Sequence, residues 1–521
     1  MSGDVASNSV GLGAGWRDWR IMGVRIGLLV AAGLLAANAI KLIDLSWFAV
    51  RYPYTLDYGE GIVWQQMINI AAGRGYAPLG VFPAIVYHYP PVYHLVVSAL
   101  AGAVGGDGLA TGRAVSLGST LLSIGLVGRL AFAAIPADEP RRVRLLAAIV
   151  AAGCAASVPT IVSWAGYMRV DMLAGALSLG GLALTLRSAD RSARIALASL
   201  CFVLAIYTKQ TSIAAPAAAF VALWLARPRA AWTLFALCAG LGLCALAGLS
   251  ITTHGGFLRH VVLYNLNRVD LSRSLLLPSA IGPQIAAVAI AVLAAGATWR
   301  RLQPTHITAL RRRLASEQDA FAAFLMLTFL LVRTALLPTI LKSGASDNYL
   351  IEWWYALAVF VGIGVVPVIG MALAGTPSPR LLLMVMAVIG LPLQGYISLL
   401  SASDRDGLVM QEPMRAAIVA RIARSARPVI SDDMALLIRA GRPVLWEPAI
   451  TAELSHAGLY DEAAFVNLVR QRRFGFFVTA GDRGDWLYDE RYNPPTADAI
   501  DAAYPRRERH GDLVLHFPRG G

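Results

Sequence analysis

Lysine is nearly absent from this sequence, which has Lys41, Lys209 and Lys342 as its only lysines among 45 basic residues. The other 42 basic residues are therefore arginines. Charge of either sign is also scarce, because charged residues make up 15% of the chain, whereas a soluble domain has about 25%. Together with the 57% hydrophobic content, this scarcity excludes an ordinary soluble protein and predicts a membrane protein.

Cysteine is scarce as well. The four cysteines all lie in apolar stretches, at Cys154, Cys201, Cys238 and Cys244. Cysteines in such surroundings are expected to be buried as small hydrophobic residues. Their number and placement exclude a disulfide framework and a metal centre built on cysteine.

The net charge of +13 comes from short arginine clusters that lie between apolar segments. This is the pattern of cytoplasmic loops in membrane proteins, which carry an excess of Lys and Arg. A nucleic-acid-binding protein would instead concentrate its positive charge on one face. We therefore expect membrane lipids, and no nucleic acid, among the partners.

Apolar segments close to the roughly 20 residues that a membrane crossing needs recur through most of the chain. The candidate spans are residues 26–44, 112–135, 145–166, 171–187, 195–208, 211–226, 232–252, 279–298, 320–341, 354–373 and 381–400. The arginine-rich connectors are residues 141–144, 187–194, 227–229, 299–313 and the loop that ends at Arg380. Residues 1–39 also fit a cleaved signal peptide, but the long apolar run favours a retained first helix.

Placing the connectors in the cytoplasm with the N-terminus divides the chain into three parts. Residues 1–25 are a cytoplasmic tail, and residues 26–400 are a mostly α-helical bundle of about 11–13 transmembrane helices. Residues 401–521 are a small soluble α/β domain on the outer side. Within the bundle, residues 45–111 form the first outer loop, where the short apolar segment 92–106 is expected to lie at the membrane interface.

The C-terminal part differs in composition from the bundle. Short apolar runs there alternate with helical patterns, and the expected strands are residues 428–431, 443–446, 474–478 and 513–517. At about 110 residues this part is long enough to form a core of its own. Back in the bundle, Glu352 and the two tryptophans after it are expected to lie in an aromatic belt at the membrane surface.

Two carboxylates lie in the first outer loop, in the segment Asp57-Tyr58-Gly59-Glu60-Gly61. The glycines are expected to allow a sharp backbone before a helix that begins near Ile62. Both acids are candidate catalytic residues, with Asp57 as the general base that takes the proton of an attacking hydroxyl. The alternatives are a solvated loop acid for Asp57 and, for Glu60, a carboxylate favoured by the dipole at the helix N-terminus.

Further charges lie at the predicted outer ends of apolar helices. Asp171 is the third candidate catalytic residue. It is expected to share a cavity with Asp57 and to orient the acceptor or the first loop, because charges near membrane level are costly and tend to be functional or paired. Lys209, Arg169 and Lys342 are candidate ligands for the phosphate of a lipid-linked donor. Arg273, in the outer loop 252–278, is another. The alternatives are a helix-ending ion pair for Arg169 and Asp171, snorkelling for the lysines and an interfacial helix for the loop.

A histidine- and tyrosine-rich segment, residues 87–94, completes the first loop. His88, Tyr89 and His94, together with Tyr58, are candidate contacts to a sugar or an acceptor. Two histidines six residues apart across a Pro-Pro pair match no common metal-ligand spacing. We therefore predict no metal site and no cofactor, and a divalent ion held with the loop carboxylates is the less favoured alternative.

These features together resemble the GT-C superfamily of polytopic glycosyltransferases, and most closely its branch of protein O-mannosyltransferases and lipid A aminoarabinose transferases. The resemblance covers about residues 20–400 and rests on the acidic first outer loop, the Tyr-Pro-Pro element at Tyr89 and the lysine after a mid-chain helix. It implies Asp57 as the catalytic base, Asp171 as a second acid and Lys209 as a phosphate ligand. The family often has an adjacent Asp-Glu pair in this loop, which Tyr58 and Gly59 separate here.

The resemblance implies an inverting membrane glycosyltransferase that uses a polyprenyl-phosphate-linked sugar and a glycan, lipid or protein acceptor. The expected location is the bacterial cytoplasmic membrane, with the active site on its outer side. A transporter or flippase of lipid-linked saccharides is the alternative from another class. A transporter would show related halves and charges near the bilayer midplane, whereas here the charges lie at the outer rim.

Overall fold

The computed structural model describes residues 10–519 except 81, 187–191, 266, 304–305, 375–378 and 402–403. Part of the predicted cytoplasmic tail, residues 1–9, therefore lies outside the described residues. The same holds for residues 187–191 and 375–378, which belong to two of the predicted arginine-rich connectors.

The N-terminal three quarters of the chain are almost entirely helical. The α-helices there are α1 (Val10–Arg51), α2 (Tyr58–Ala71), α3 (Val92–Val104), α4 (Gly108–Ala134), α5 (Arg141–Ala156), α6 (Pro159–Ala165), α7 (Asp171–Thr185), α8 (Ser192–Ile206), α9 (Ala214–Ala226), α10 (Pro228–Thr252), α11 (Gly256–Val261), α12 (Leu276–Ile281), α13 (Ile285–Leu302), α14 (Ile307–Ser316), α15 (Gln318–Ala335), α16 (Ile351–Gly364), α17 (Val366–Ala374) and α18 (Pro379–Ser401). Short 3-10 turns at Leu263–Asn265, Leu271–Leu275, Gly282–Gln284, Leu337–Leu341 and Asp347–Leu350 join several of them.

Length and composition identify membrane-crossing helices within the described residues. Six stretches are long and apolar enough to cross, and the pair α5–α6, bent by 67°, would be a seventh. The helices α3, α7, α8 and α9 are apolar but shorter. Every segment predicted to span falls on one of these helices or on α18, which confirms the polytopic helical fold. The 13 residues of α3 extend roughly 20 Å, which is less than the roughly 30 Å of a bilayer core.

The bundle is assembled around α16. Its side chains are buried on every face from Ile351 to Gly362, and a helix that is apolar all round has to be enclosed by others. The enclosing helices are α4, α5, α13 and α15. Trp353 and Trp354 lie in this core, 6% and 1% exposed. The predicted aromatic belt at this position is therefore wrong.

The C-terminal part contains a four-stranded sheet. Its strands are β1 (Ile430–Ser431), β2 (Phe477–Ala480), β3 (Arg506–His510) and β4 (Leu513–Phe517), and its helices are α19 (Arg405–Arg424), α20 (Met434–Arg439), α21 (Pro448–His456), α22 (Ala463–Arg470), α23 (Trp486–Arg491) and α24 (Pro494–Ala503). The strand order is β1-β2-β4-β3, with β1 parallel to β2 and the other pairs antiparallel.

Two strands differ from the sequence prediction. The strand expected at 443–446 makes only a single bridge, between Trp446 and Ala84 of the first loop. The charged segment of β3 carries no apolar pattern that would predict a strand. It pairs along the buried β4 at the end of the sheet, and charged side chains are typical of such edge strands.

The sheet domain contacts the first loop at the place where the loop acids lie. Helix α20 packs against α2, and Arg439 donates to both carboxylate oxygens of Asp107 at 2.9 Å. Thr55 donates to Asp433 at 2.9 Å. The first loop is therefore held between the helical bundle and the C-terminal domain.

Candidate active site

The carboxylate of Asp57 begins helix α2. It is the N-cap residue, and it accepts a hydrogen bond from the backbone N–H of Gly59 at 2.9 Å. Glu60, three residues on, accepts in return from the Asp57 N–H, at 3.4 Å. This reciprocal pair is a capping box, which satisfies two N–H groups that the first helical turn leaves unpaired.

The glycines of this segment are needed for close approach and not for a sharp turn. Both lie within α2, and a Cβ on Gly59 would lie 1.3 Å from Nη1 of Arg169. A Cβ on Gly61 would lie 3.2 Å from atoms of Met434 and Ala435 in α20. The absence of a side chain at Gly59 therefore allows Arg169 to reach the loop, and its absence at Gly61 allows helix α20 to pack closely.

Glu60 is the anion of a fully buried ion pair. Both it and Arg113, of α4, have no exposed surface. Two guanidinium nitrogens of Arg113 donate to the two Glu60 oxygens, each at 2.7 Å. The N–H groups of Leu56 and Met168 also donate to this carboxylate, each at 2.7 Å. The remaining donors of Arg113 bind the carbonyl oxygens of Ala49, Tyr52 and Tyr54 at 2.6–2.7 Å.

This network contradicts the prediction that Glu60 is catalytic. Each oxygen of its carboxylate already accepts at least two hydrogen bonds, and neither is accessible to a substrate. Glu60 instead joins the end of α1, the first loop and the segment before α7. Its contacts are those of a structural residue that ties these three segments together.

Asp57 pairs with Arg169 at the surface of this network. The Nη1 of Arg169 donates to Oδ2 of Asp57 at 2.8 Å, and the Asp57 side chain is 28% exposed. Within the described residues, every hydrogen bond of this side chain falls on Oδ2. Burial raises the pKa of Asp57 above its ordinary value, while Arg169 opposes that rise. The second oxygen, Oδ1, thus accepts no hydrogen bond among the described residues.

Asp171 forms a second ion pair two residues further along the chain. Lys209 donates to its Oδ1 at 2.5 Å and Asn348 at 2.9 Å. Asp171 is close enough to the first pair for its charge to contribute to raising the pKa of Asp57. The two carboxylates and the two cations, all four singled out from the sequence, therefore lie in one site.

Further polar side chains lie next to the Asp171–Lys209 pair. Arg333 and Glu352 form an ion pair at 3.4 Å, and Ser178 donates to Glu352 at 2.9 Å. A cavity of about 10 Å³ lies among Asp171, Lys209 and these residues, which is room for about one water molecule. A phosphate group does not fit there, so an anionic ligand has to approach the pair from its outer side.

The other two predicted phosphate ligands lie in different surroundings. The Nζ of Lys342 donates to Asn265 at 3.3 Å. Burial, together with the charge of Lys209, lowers the pKa of Lys342 to about 8. Arg273 instead donates to the carbonyl oxygen of Ala345 at 2.7 Å and lies within 3.3–3.4 Å of the carboxylates of Asp270 and Glu490. Lys342 therefore lies within electrostatic range of Lys209, whereas the charge of Arg273 is already balanced by two carboxylates.

Three of the four predicted sugar or acceptor contacts lie beside the ion pairs. Tyr89 accepts from Arg169 at 3.4 Å, and His88 lies 3.3 Å from Glu447 of the C-terminal domain. Tyr58 faces the same domain, with the guanidinium of Arg491 over its ring at 4.0 Å. These three half-buried side chains border the site.

His94 does not belong to the site. It is fully buried, and its Nε2 lies 3.2 Å from the side-chain oxygen of Gln66, between α2 and α3. The prediction that it contacts sugar or acceptor is wrong. The residue lies in the first turn of α3, on the face that packs against α2.

The described residues include no group of three or more His, Cys, Asp or Glu side chains that could hold a metal ion. His88 and Glu447, which lie 3.3 Å apart at the candidate site, are therefore not part of such a group.

The sequence patterns do not single out Arg113, Asn348 or Glu447. A signal exists for Arg113, since it interrupts an otherwise apolar span and such charges are rarely unpaired. Asn348 and Glu447 are brought to the site by contacts across 177 and 359 residues of chain. No local pattern marks contacts of that separation.

With this geometry in view, the chain is similar to two groups of solved structures. ArnT from Cupriavidus metallidurans bound to undecaprenyl phosphate shares 15% identity, with 96% of this chain and 98% of that chain covered and a TM-score of 0.55. The Archaeoglobus fulgidus oligosaccharyltransferase in its apo form shares 12% identity, with 91% and 72% covered and a TM-score of 0.55.

A further structure, the archaeal oligosaccharyltransferase AglB from Archaeoglobus fulgidus with an inhibitory peptide and a dolichol-phosphate, shares 10% identity over 94% of this chain and 74% of that one, with a TM-score of 0.52. No protein-family model and no curated protein matches the chain. At these identities the likeness establishes the fold, which spans nearly the whole sequence, C-terminal domain included. The resemblance inferred from the sequence is confirmed at that level.

Proposed function

We propose that this chain, whose fold is that of the GT-C glycosyltransferases, transfers a monosaccharide from a polyprenyl-phosphate carrier to a hydroxyl group. The observation that carries the proposal is the convergence of Asp57–Arg169 and Asp171–Lys209 in one partly exposed site. The solved structures support the class of ligand, since ArnT is bound to undecaprenyl phosphate and AglB to dolichol-phosphate with a peptide. The acceptor is a glycan, a lipid or a protein.

In the proposed reaction Asp57 is the general base. The acceptor oxygen attacks the anomeric carbon, its proton passes to Oδ1 of Asp57, and the bond from that carbon to the carrier phosphate breaks. The bonding electrons leave on the phosphate, and attack from the opposite face inverts the configuration. Arg169 holds Oδ2, so the carboxylate presents its second oxygen in one orientation. A raised pKa suits a base, because catalytic groups work best near the operating pH.

The leaving phosphate needs positive charge that is not already neutralised. Lys209 is paired with Asp171, and Arg169 with Asp57, so each supplies only part of its charge to a ligand. Lys342 has an amide oxygen as its hydrogen-bond partner and lies near enough to Lys209 for that lysine to lower its pKa. The carboxylate of Glu453 acts on Lys342 in the opposite direction, but it is shared with Arg268 at 3.5 Å. We therefore assign the main phosphate contact to Lys342, with Lys209 in support and Arg273 in no direct role.

This assignment predicts a loss of activity at alkaline pH. Lys342 binds phosphate only when protonated, and that state is lost as the pH rises through about 8. The kcat/KM for the donor is expected to decline above that pH, while Lys342→Arg retains it because a guanidinium stays charged. Pre-steady-state or initial-rate assays between pH 6 and 10 measure the two profiles. If Lys342→Arg lost kcat/KM above pH 8 as steeply as the unsubstituted protein, Lys342 would not be the phosphate ligand.

A second prediction concerns the approach of Arg169. In Gly59→Ala the added methyl group would overlap Nη1 of Arg169, so the guanidinium has to leave Oδ2 of Asp57. The transfer rate is expected to fall by about tenfold or more, the worth of a charge-assisted hydrogen bond. Gly102→Ala is the matched control, since a Cβ there meets nothing within 4 Å. Equal rates in both variants would mean that the Asp57–Arg169 contact does not serve catalysis.

Transfer can be separated from transport in reconstituted vesicles. The purified protein is supplied with a polyprenyl-phosphate-linked sugar and candidate acceptors, and free polyprenyl phosphate is measured. Its release together with glycosylated acceptor supports the transferase. Movement of the intact lipid between leaflets without release would favour the flippase. That the reaction needs no metal or cofactor stays a prediction, checked by its rate with and without a chelator.

We place the protein in the bacterial cytoplasmic membrane, with the site and the C-terminal domain on the outer side. The support is the position of the arginine-rich connectors 141–144, 227–229 and 299–313, which lie at the ends of the helices away from Asp57, as expected of cytoplasmic loops. Protease protection in oriented vesicles tests this orientation. Cleavage of the C-terminal domain from the outside is the expected result.

A further inference from the structure

A large cavity lies at the opposite ends of the helices that form the candidate site. It has a volume of about 700 Å³ and opens between the end of α4 and the beginning of α5. Arg113, at the site, and Arg129, at the cavity, are 16 residues apart on α4 (129 − 113). At 1.5 Å per residue the cavity is roughly 24 Å from the site along the helix axis. It is therefore a separate feature, near the other surface of the membrane.

The cavity is positively charged. Arg129, Arg141 and Arg144 line it, and of the described lining residues only Asp319 is acidic. That carboxylate lies 3.7 Å from Arg301, so its charge is balanced from outside the cavity. Arg141 and Arg144, in the first turn of α5, therefore leave positive charge facing the space.

The beginning of α5 adds to this charge. The helix has 16 residues, and its N-cap is Pro140, which provides no side-chain cap. The unpaired N–H groups of a first helical turn carry partial positive charge and bind anions. Arg144 is held in place, because it donates to the carbonyl oxygen of Phe132 at 3.1 Å and stacks on that ring at 4.3 Å. Its Nε is buried and has no hydrogen-bond partner among the described residues.

The rest of the wall is apolar and open to the membrane. Phe132, Leu145 and Ile149 line the cavity, and the last two are each 54% exposed on the outside of the bundle. In a bilayer such residues face hydrocarbon. The cavity thus has two parts. One end is lined by arginines near the arginine-rich connectors, and the side that faces the lipid is apolar.

We propose that this cavity binds an anionic glycerophospholipid from the leaflet on the arginine-rich side. Its phosphate is held by Arg141, Arg144 and the N–H groups that begin α5, and one acyl chain lies along Phe132, Leu145 and Ile149. Basic pockets between transmembrane helices on the cytoplasmic side bind anionic headgroups in this way. A free phosphate ion would satisfy the arginines but leave the apolar wall without a partner. The proposal rests on the membrane fold and not on the transferase chemistry.

The test is a titration of the purified full-length protein in neutral detergent with phosphatidylglycerol or phosphatidylcholine, followed by native mass spectrometry. We expect tight binding of the anionic lipid alone. The variant Arg141→Gln/Arg144→Gln is expected to bind it about thirtyfold more weakly, from the usual contribution of each basic residue to an anionic lipid. Arg142→Gln is the matched control, because this neighbouring arginine is exposed and does not line the cavity.

Three outcomes would overturn the proposal. These are equal affinity for the two lipids, equal weakening in the Arg142 control, and displacement of the lipid by millimolar inorganic phosphate, which would indicate a simple anion site. The variant Arg141→Lys/Arg144→Lys keeps both charges and should retain most of the binding. Thermal unfolding of each variant without added lipid checks that all of them are folded. Sugar transfer is measured on the same samples as a separate assay. A protein that binds the anionic lipid but transfers no sugar would contradict the proposed function and leave the lipid site standing.

Discussion

Asp57→Asn is expected to reduce the rate of sugar transfer by about 10²–10⁴-fold, the usual contribution of a general base. An amide has nearly the shape of the carboxylate and still accepts a hydrogen bond from the Gly59 N–H, so helix α2 keeps its N-cap. What is lost is the oxygen that takes the proton, together with the charge that holds Arg169. Turnover measured with saturating donor and acceptor reports the loss, because binding is then complete.

The appropriate control is another acid in the same structural position. Asp107 is the N-cap residue of α4, and it also pairs with an arginine, Arg439. Asp107→Asn should therefore reproduce the helix-capping effect of the substitution without the chemical one. Full activity in this control and near-complete loss in Asp57→Asn would support the base. Comparable activity in both would end the assignment.

Glu60→Gln is expected to have its largest effect on stability. The substitution leaves the guanidinium of Arg113 buried, hydrogen-bonded to carbonyl oxygens, but without a counter-charge. Breaking a buried ion pair by removing one partner costs about 3–5 kcal/mol of unfolding free energy. Thermal unfolding of the variant in detergent should show a large drop in its midpoint. Activity should decline only because less folded protein is present.

An exposed pair of the same chemistry provides the comparison. Arg313 and Glu317 lie 2.8 Å apart on the surface of the bundle, where an ion pair contributes about 0–1 kcal/mol. Glu317→Gln should therefore leave the unfolding midpoint almost unchanged. If Glu60→Gln were as stable as this variant but inactive, Glu60 would have a chemical role and our reassignment of it would be wrong.

The sequence was sufficient to predict the bundle and four charges of the site. Asp57, Arg169, Asp171 and Lys209 each lie next to the end of an apolar segment, and ends that share one side of a membrane lie close together. Hydrophobicity and charge therefore determine their common location with little further information. The cost of leaving such charges unpaired then predicts that they pair.

What could not be predicted is which charge pairs with which. Glu60 and Asp57 have the same local context, yet only Glu60 lies opposite Arg113, and that choice depends on the packing of α4 against the first loop. His94 likewise differs from His88 only through the direction in which α3 leaves the Pro-Pro turn. Contacts from the C-terminal domain, such as that of Glu447, depend on how two separately folded parts dock.

The scarcity of lysine makes the site unusually easy to label. Amine-reactive reagents attack the neutral form of a side chain, and of the three lysines Lys342 has a pKa lowered to about 8 by burial and by Lys209. Among the lysines, a limiting amount of reagent near neutral pH should therefore acylate Lys342 first, whereas Lys209 is held by Asp171. If a carrier lipid is bound, its phosphate keeps the Lys342 amine charged and unreactive. Peptide mapping of the acylated fraction at Lys342, with and without the lipid, would therefore measure how much of the site is occupied. Ligands could in this way be screened before any acceptor is known.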